Sequence, residues 1–187
     1  KENFDIAGTL NLTNGKIKLD ANKVLRVLLG GQITGGNNNS YVWGSLARQA
    51  NSTAETRLFY PLGTMLSYRP ANLDLLQTTT DVNTYTGTIL EPNLLSLALP
   101  SGVTAVSGTR AHRFTSTGPA GIASANLSVN FGADDLNGRL PNQVTLVKEQ
   151  GGAWANLAGA ASGSTDGTVS SRQNFTSLGT FALAYTS

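Results

Sequence analysis

The sequence predicts an all-β protein: an antiparallel β-sandwich, immunoglobulin-like or jelly-roll-like, preceded by a short N-terminal segment of β-meander or β-solenoid character. Three observations lead there. Apolar and polar residues alternate at period two along most of the chain, the mark of half-buried strands. Helical periodicity is almost absent; Gly, Asn and β-branched residues recur too often for a long helix. Short apolar runs are separated by Gly, Asn and Pro at the spacing of an all-β domain, with 21 Gly and 6 Pro in 187 residues. A chain of this length buries roughly 70% of its unfolded surface, so it folds without a metal or disulfide.

The elements follow in order. Leu10 and Leu12 alternate with Thr9, Asn11 and Thr13. Asn14-Gly15 then supplies the positive φ of a tight turn, and Ile17 and Leu19 alternate with Lys16, Lys18 and Asp20. Leu25, Val27 and Leu29 share one face of a third run, ended by Gly30-Gly31. Ile33 marks a short strand before the loop Gly35-Gly36-Asn37-Asn38-Asn39. Residues 1–36 therefore form one unit of short strands, and residues 37–187 the sandwich.

In the second unit, strands are predicted over Ser40–Leu46, Thr56–Tyr60, Leu66–Leu76, Thr84–Leu90 and Leu94–Leu99. Further strands are Val103–Val106, Ala111–Thr115 and Ile122–Phe131, the last with Ala123, Ala125, Leu127, Val129 and Phe131 on one face. Asp134-Asp135-Leu136-Asn137-Gly138 reads as a hairpin turn. Alternation resumes at Val144–Lys148, then Trp154–Leu157, Gly167–Ser171 and Gly179–Tyr185, with a loop over 158–167.

Composition excludes much chemistry. There is no Cys, so no disulfide framework, thiol nucleophile or thiolate metal site, and the single His rules out a two-imidazole centre within this chain. Charged residues are 13% of the chain and the net charge is +2, with Lys and Arg scattered singly, which speaks against nucleic acid as a partner. No apolar run reaches the roughly 20 residues that span a membrane as a helix. No initiator Met or signal pattern precedes Asn3, which predicts a mature form or an excised domain.

Candidate sites are few. The acidic residues mostly stand beside Gly, Asn or Ser in turns, where local hydrogen bonding explains them, so no catalytic carboxylate pair is assigned. His112 lacks a nucleophile motif around it and reads as a strand histidine. The Asp134–Gly138 stretch lacks the distal Glu of a calcium loop, and no metal or other cofactor is expected. Trp43 and Trp154 are the candidates for stacking on sugar rings. Thr78-Thr79-Thr80 is too short for an ice-binding array, and the Asn-x-Ser/Thr sequons at Asn11, Asn38, Asn51, Asn126 and Asn174 follow from an Asn- and Thr-rich composition.

Several motifs, in order, carry a resemblance. They are Gly8-Thr9-Leu10-Asn11-Leu12-Thr13-Asn14-Gly15-Lys16-Ile17-Lys18-Leu19, then Ser40-Tyr41-Val42-Trp43-Gly44-Ser45-Leu46-Ala47-Arg48, then Phe59-Tyr60-Pro61-Leu62-Gly63 and Tyr68-Arg69-Pro70. Trp154 to Gly159, Gly167-Thr168-Val169-Ser170-Ser171 and Phe175 to Leu183 complete the series. The whole resembles a recurring β-rich module of large secreted, adhesin-like surface proteins of Bacteroidota. Ala158 stands where that module usually has Gly, and His112-Arg113-Phe114 where an aromatic–Trp pair is common. The resemblance implies an exported surface module and brings no catalytic residues.

The expectation is therefore a non-enzymatic, secreted or cell-surface structural or adhesive subunit, whose partners are copies of itself or neighbouring domains. Self-assembly into filaments would use the segment Phe4 to Leu12 as a donated strand, anchored by Phe4, Ile6, Leu10 and Leu12. The alternative is a carbohydrate-binding module of a large adhesin, with Trp43 and Trp154 against glycans.

Overall fold

The structure, a computed structural model, describes residues 3–187. It opens with two coils of a parallel β-solenoid. The first holds β1 (Phe4–Ile6), β2 (Thr9–Leu12) and β3 (Ile17–Lys18); the second holds β4 (Val24–Val27), β5 (Gln32–Gly35) and β6 (Val42–Trp43). Each strand of the second coil runs parallel to its counterpart in the first, with Phe4 beside Leu25, Leu10 beside Ile33 and Ile17 beside Val42. Gly15 has the positive φ (87°) that its sequence context demands. The strands it joins do not pair with each other, however; the turn is a corner of a coil. A turn dipeptide fixes the local backbone, and the choice between meander and solenoid is made by longer-range stacking. Polar side chains stack from coil to coil as well: Arg26 donates two bonds to Asp5 at 3.0 and 2.6 Å, and Thr34 bonds Asn11.

The rest of the chain builds the sandwich. In order come β7 (Ser45–Ala50), β8 (Thr56–Tyr60), β9 (Ala71–Gln77), β10 (Asn83–Leu90), β11 (Ala105–Thr117) and β12 (Ile122–Phe131). One helical turn, α1 (Ala133–Leu136), and a 3-10 turn at Pro141–Gln143 lead to β13 (Val144–Gln150) and β14 (Ala153–Asn156). The hairpin β15 (Ala160–Gly163) and β16 (Gly167–Ser170) and the final strand β17 (Thr180–Tyr185) complete it. One sheet has eight strands in the order β1-β4-β7-β10-β11-β17-β13-β14, the other five in the order β15-β16-β12-β9-β8. From β7 onward every pairing of named strands is antiparallel, while β7 itself is parallel to β4. The coils are thus an extension of the larger sheet, and a division at residue 36 falls inside the second coil, between β5 and β6.

Period-two alternation puts the core between the sheets. β9 and β12 alternate buried and half-buried residues, so Leu73, Leu75, Leu127 and Val129 point inward together. Across the gap, Tyr60 of β8 meets Phe114 of β11 edge-on at 5.1 Å, and Phe114 contacts Phe181 of β17 at 6.1 Å. Such edge-to-face pairs add roughly 0.5–1.5 kcal/mol each beyond area burial. The same core continues without a break into the coils through Leu12, Leu25, Val27 and Leu46. A second apolar cluster of Val103, Ala111, Val147, Trp154, Ala182 and Ala184 lies on the outer face of the large sheet. All six residues of β17 are consequently buried, which its continuous apolar run Phe181-Ala182-Leu183-Ala184-Tyr185 reflects.

Several elements differ from expectation. Leu94–Leu99 forms no strand: Leu94 is 84% exposed and only Ala98 makes a bridge, to Ala153. Two adjacent leucines between Pro92 and Pro100 break the alternation that a strand needs. The run from Leu66 begins its strand only after Pro70, at β9. The two runs at Val103–Val106 and Ala111–Thr115 are one strand, β11, with a register shift between Val106 and Ala111. The 158–167 loop contains β15, and the turn at Asp134 is helical, closing on Asn137 at φ 49°.

Gly87 sits in β10 opposite Phe114, where an added Cβ would lie 2.6 Å from the Phe114 ring. Glycine is needed there for close packing. Gly87→Ala is expected to destabilise by about 1–3 kcal/mol through overpacking. Calorimetry should show Tm falling by about 2–4 °C for each kcal/mol lost.

Candidate functional site

Three places could act: the free edge of the first coil, a groove beside Trp43, and a buried ion-pair cluster. At the first, the four residues expected to anchor a donated strand all pair within their own chain. Phe4 and Ile6 lie in β1 against β4, and Leu10 and Leu12 in β2 against β5. Leu12 is buried in the core, Ile6 and Leu10 are half-buried, and Phe4 is 53% exposed. The backbone bonds run Leu28 N–H to Ile6 C=O, Gln32 N–H to Gly8 C=O, Gly36 N–H to Leu12 C=O and Leu19 N–H to Trp43 C=O. Because alternate residues of a strand turn their N–H and C=O to opposite sides, those of Asp5, Thr9, Asn11 and Lys18 face the open side of the coil.

The two tryptophans part company. Trp154 is 3% exposed and packs with Val147, Ala182 and Ala184, so its ring is a core element with no face for a ligand. Trp43 is half-buried and lines a groove of about 900 Å³. The floor is the outer face of the large sheet, where Thr86 pairs with Thr115 and Thr88 with Arg113 across β10 and β11. Lys18, Leu19 and Asp20 form one wall, Thr64 and Met65 border the groove, and Glu91 reaches it from the loop after β10. Gly44 turns the chain between Trp43 and β7 at φ 144°, and a Cβ there would sit 2.7 Å from Leu19. The exposed Lys18 ammonium lies 4.6 Å from the indole centroid.

The ion-pair cluster has no local sequence signal. Asp135, 2% exposed at its side chain, is held by both Arg69 and Arg110; Asp134 contacts the same two guanidinium groups, and Arg110 also reaches Glu91 at 3.0 Å. The Gly132 N–H donates to the Asp135 carboxylate at 2.8 Å, and the Tyr185 hydroxyl donates to the Asp135 carbonyl at 2.5 Å. Burial opposes charge on Arg110, yet the bond it donates to Asp134 and the charge of Asp135 outweigh it and raise its pKa. Burial likewise acts to raise Asp134, but its bond to Arg110 and the charge of Arg69 hold it below the ordinary carboxylate range. All three carboxylates of this cluster are engaged by guanidinium groups, and the cluster acts as a structural tie. It clamps α1 to β11, to the end of β17 and to the segment before β9. The stretch read as a hairpin turn at 134–138 thus points Asp135 inward and leaves Asp134 at the surface, 46% exposed at its side chain. Arg69 and Arg110 escaped sequence reasoning because their partners lie 66 and 25 residues away.

His112 stands two residues from Arg110 on the same inner face of β11, 2% exposed, with Nε2 3.1 Å from the Arg69 carbonyl. Burial drives its pKa down to about 4. It is therefore neutral and inaccessible. Comparison with known protein families, curated proteins and solved structures returned no match.

Two outcomes are expected. Arg110→Leu leaves the buried Asp135 carboxylate with one guanidinium fewer and should cost about 3–5 kcal/mol in denaturant unfolding. The second concerns pH. The unfolded chain takes a proton on His112 near pH 6.5 and the folded chain only near 4, so stability falls as pH drops through that window, by about 3 kcal/mol in full. His112→Gln should flatten the dependence of Tm between pH 7 and pH 4.5; an unchanged slope would assign the loss to carboxylates.

Proposed function

We propose that this chain is a non-enzymatic structural and adhesive module of a secreted or cell-surface protein, and that its first coil is an assembly edge for a second copy. The observation that carries the proposal is the free edge of β1, β2 and β3, where the backbone groups of Asp5, Thr9, Asn11 and Lys18 face outward beside an exposed Phe4. Solenoid ends normally need a capping element, because unpaired strand edges recruit further strands. Among the described residues nothing covers this one. The opposite edge of the same sheet, β14, is covered by the bridge from Ala98.

Assembly here takes the form of edge addition. The Phe4–Leu12 segment stays in its own coil, and the incoming strand pairs on the outer side. The non-enzymatic reading is supported by the guanidinium-bound carboxylates and by the burial of His112. The extracellular setting is supported by a cysteine-free, low-charge composition and by the resemblance to Bacteroidota surface modules.

Thr9→Pro tests the edge without touching the coil. Its N–H points outward, so proline removes an open donor while the inward ladder bonds of Gly8 and Leu12 remain. The native chain is expected to assemble with rising concentration in analytical ultracentrifugation and to form filaments or sheets in negative-stain microscopy. Thr9→Pro should remain monomeric with little change in Tm. A native chain that is monomeric throughout, or a proline variant that assembles equally well, would overturn the proposal.

A further inference from the structure

We infer that the groove beside Trp43 binds a neutral oligosaccharide, stacking one pyranose ring on the indole and hydrogen-bonding its hydroxyls along the sheet floor. The inference rests on the adhesive reading of the module, and it concerns a surface distinct from the backbone edge of the first coil.

Several of the groove's polar groups are unengaged, whereas Glu91 is held by Arg110. Among the described residues, the side chains of Ser45, Thr86, Arg113 and Thr115 make no hydrogen bond to protein, and neither do the Trp43 indole N–H and the Asp20 carboxylate. Thr88 makes only a long bond, 3.4 Å, to the Gly44 carbonyl. A floor of hydroxyls with one guanidinium and one carboxylate offers both donors and acceptors at the spacing of adjacent strands, roughly 4.8 Å. Vicinal sugar hydroxyls, each donor and acceptor at once, match that mixture.

The indole supplies the apolar half of recognition. A pyranose carries C–H groups on one face and hydroxyls around its rim, so it needs a flat apolar surface beside polar partners. The Trp43 ring is half-buried, and the exposed Lys18 ammonium lies over one of its faces. A cation–π contact at an exposed site is weak, so a sugar ring displaces it at small cost. Gly44 holds the indole at this position, since its backbone conformation and its contact with Leu19 exclude a side chain.

Charge and shape select against other ligands. Lys18 and Arg113 share the groove lining with Asp20 and with Glu91, the latter also bonded to Arg110, so the lining has no cluster of cations of the kind a phosphate polymer needs. Its floor is made of central strands with no free edge, so a peptide cannot add as a strand. The volume, about 900 Å³, is at the upper end for a small-ligand site, which suits part of a chain.

The test is isothermal titration of the full chain with cellohexaose, xylohexaose, mannohexaose, maltohexaose and chitohexaose, and with hexagalacturonate as an acidic control. At least one neutral hexasaccharide should bind, with Trp43→Ala weakening it tenfold or more, Arg113→Ala weakening it and Lys18→Ala binding as well or better. Circular dichroism and Tm check that each variant is folded, and Trp154→Phe should leave affinity unchanged. Repeating the titration on the monomeric Thr9→Pro variant separates this site from assembly: sugar binding that persists there stands whether or not the coil edge associates. No binding by any neutral probe at millimolar concentration, binding of hexagalacturonate alone, or affinity unaffected by Trp43→Ala would overturn the inference.

Discussion

β7 is paired in two ways at once. On one side it runs parallel to β4, with Leu25 beside Leu46; on the other it runs antiparallel to β10, with Leu46 beside Gly87. A parallel stack and an antiparallel sandwich are normally separate solutions, because they need different connections. Sharing one strand lets the coils and the sandwich form a single sheet and a single core. The row Phe4, Leu25, Leu46, Gly87 and Phe114 crosses five strands and passes from solvent to the centre of the molecule. Everything proposed about function follows from this joint. It leaves the first coil as the outermost described rung, with an edge that no described residue covers, and it sets Trp43 and Gly44, the two residues just before β7, at the mouth of the groove.

A second part of the sandwich, which shares Glu91 with the groove, is fixed differently. Where β11, α1 and the segment before β9 meet, apolar packing gives way to two guanidinium groups and three carboxylates. A buried ion cluster of this kind adds little net stability over an apolar replacement, but it is costly to break in part. Its effect is positional: Gly132 donates to the Asp135 carboxylate and lies close against Arg69, where a Cβ would clash with the guanidinium.

The strands were legible wherever one face meets the core. Ala125, Leu127, Val129 and Phe131 alternate as the sequence says they must, and the immunity of β17 to alternation followed from burial on both faces. What was illegible is non-local. Asn14-Gly15 announces a corner, yet only the pairing of Leu10 with Ile33, 23 residues on, makes that corner part of a solenoid. Trp43 and Trp154 look equivalent as residues; one lies beside a glycine kink at a sheet margin and the other under a leucine-bearing loop, which no local pattern distinguishes. The ion cluster joins positions 69, 91, 110, 134 and 135, each of which alone reads as a surface charge.

Native-state hydrogen exchange tests the shared strand most directly. If β7 fuses coil and sandwich into one cooperative unit, the β4 amides bonded to β7 exchange only through global unfolding, with the same opening free energy and denaturant dependence as the β10 and β11 amides. The outer strands β1 to β3 fray at lower free energy without affecting them. Exchange of β4 through a separate, smaller opening that leaves β10 and β11 protected would contradict the account, since the coils would then be an independent unit resting on a finished sandwich.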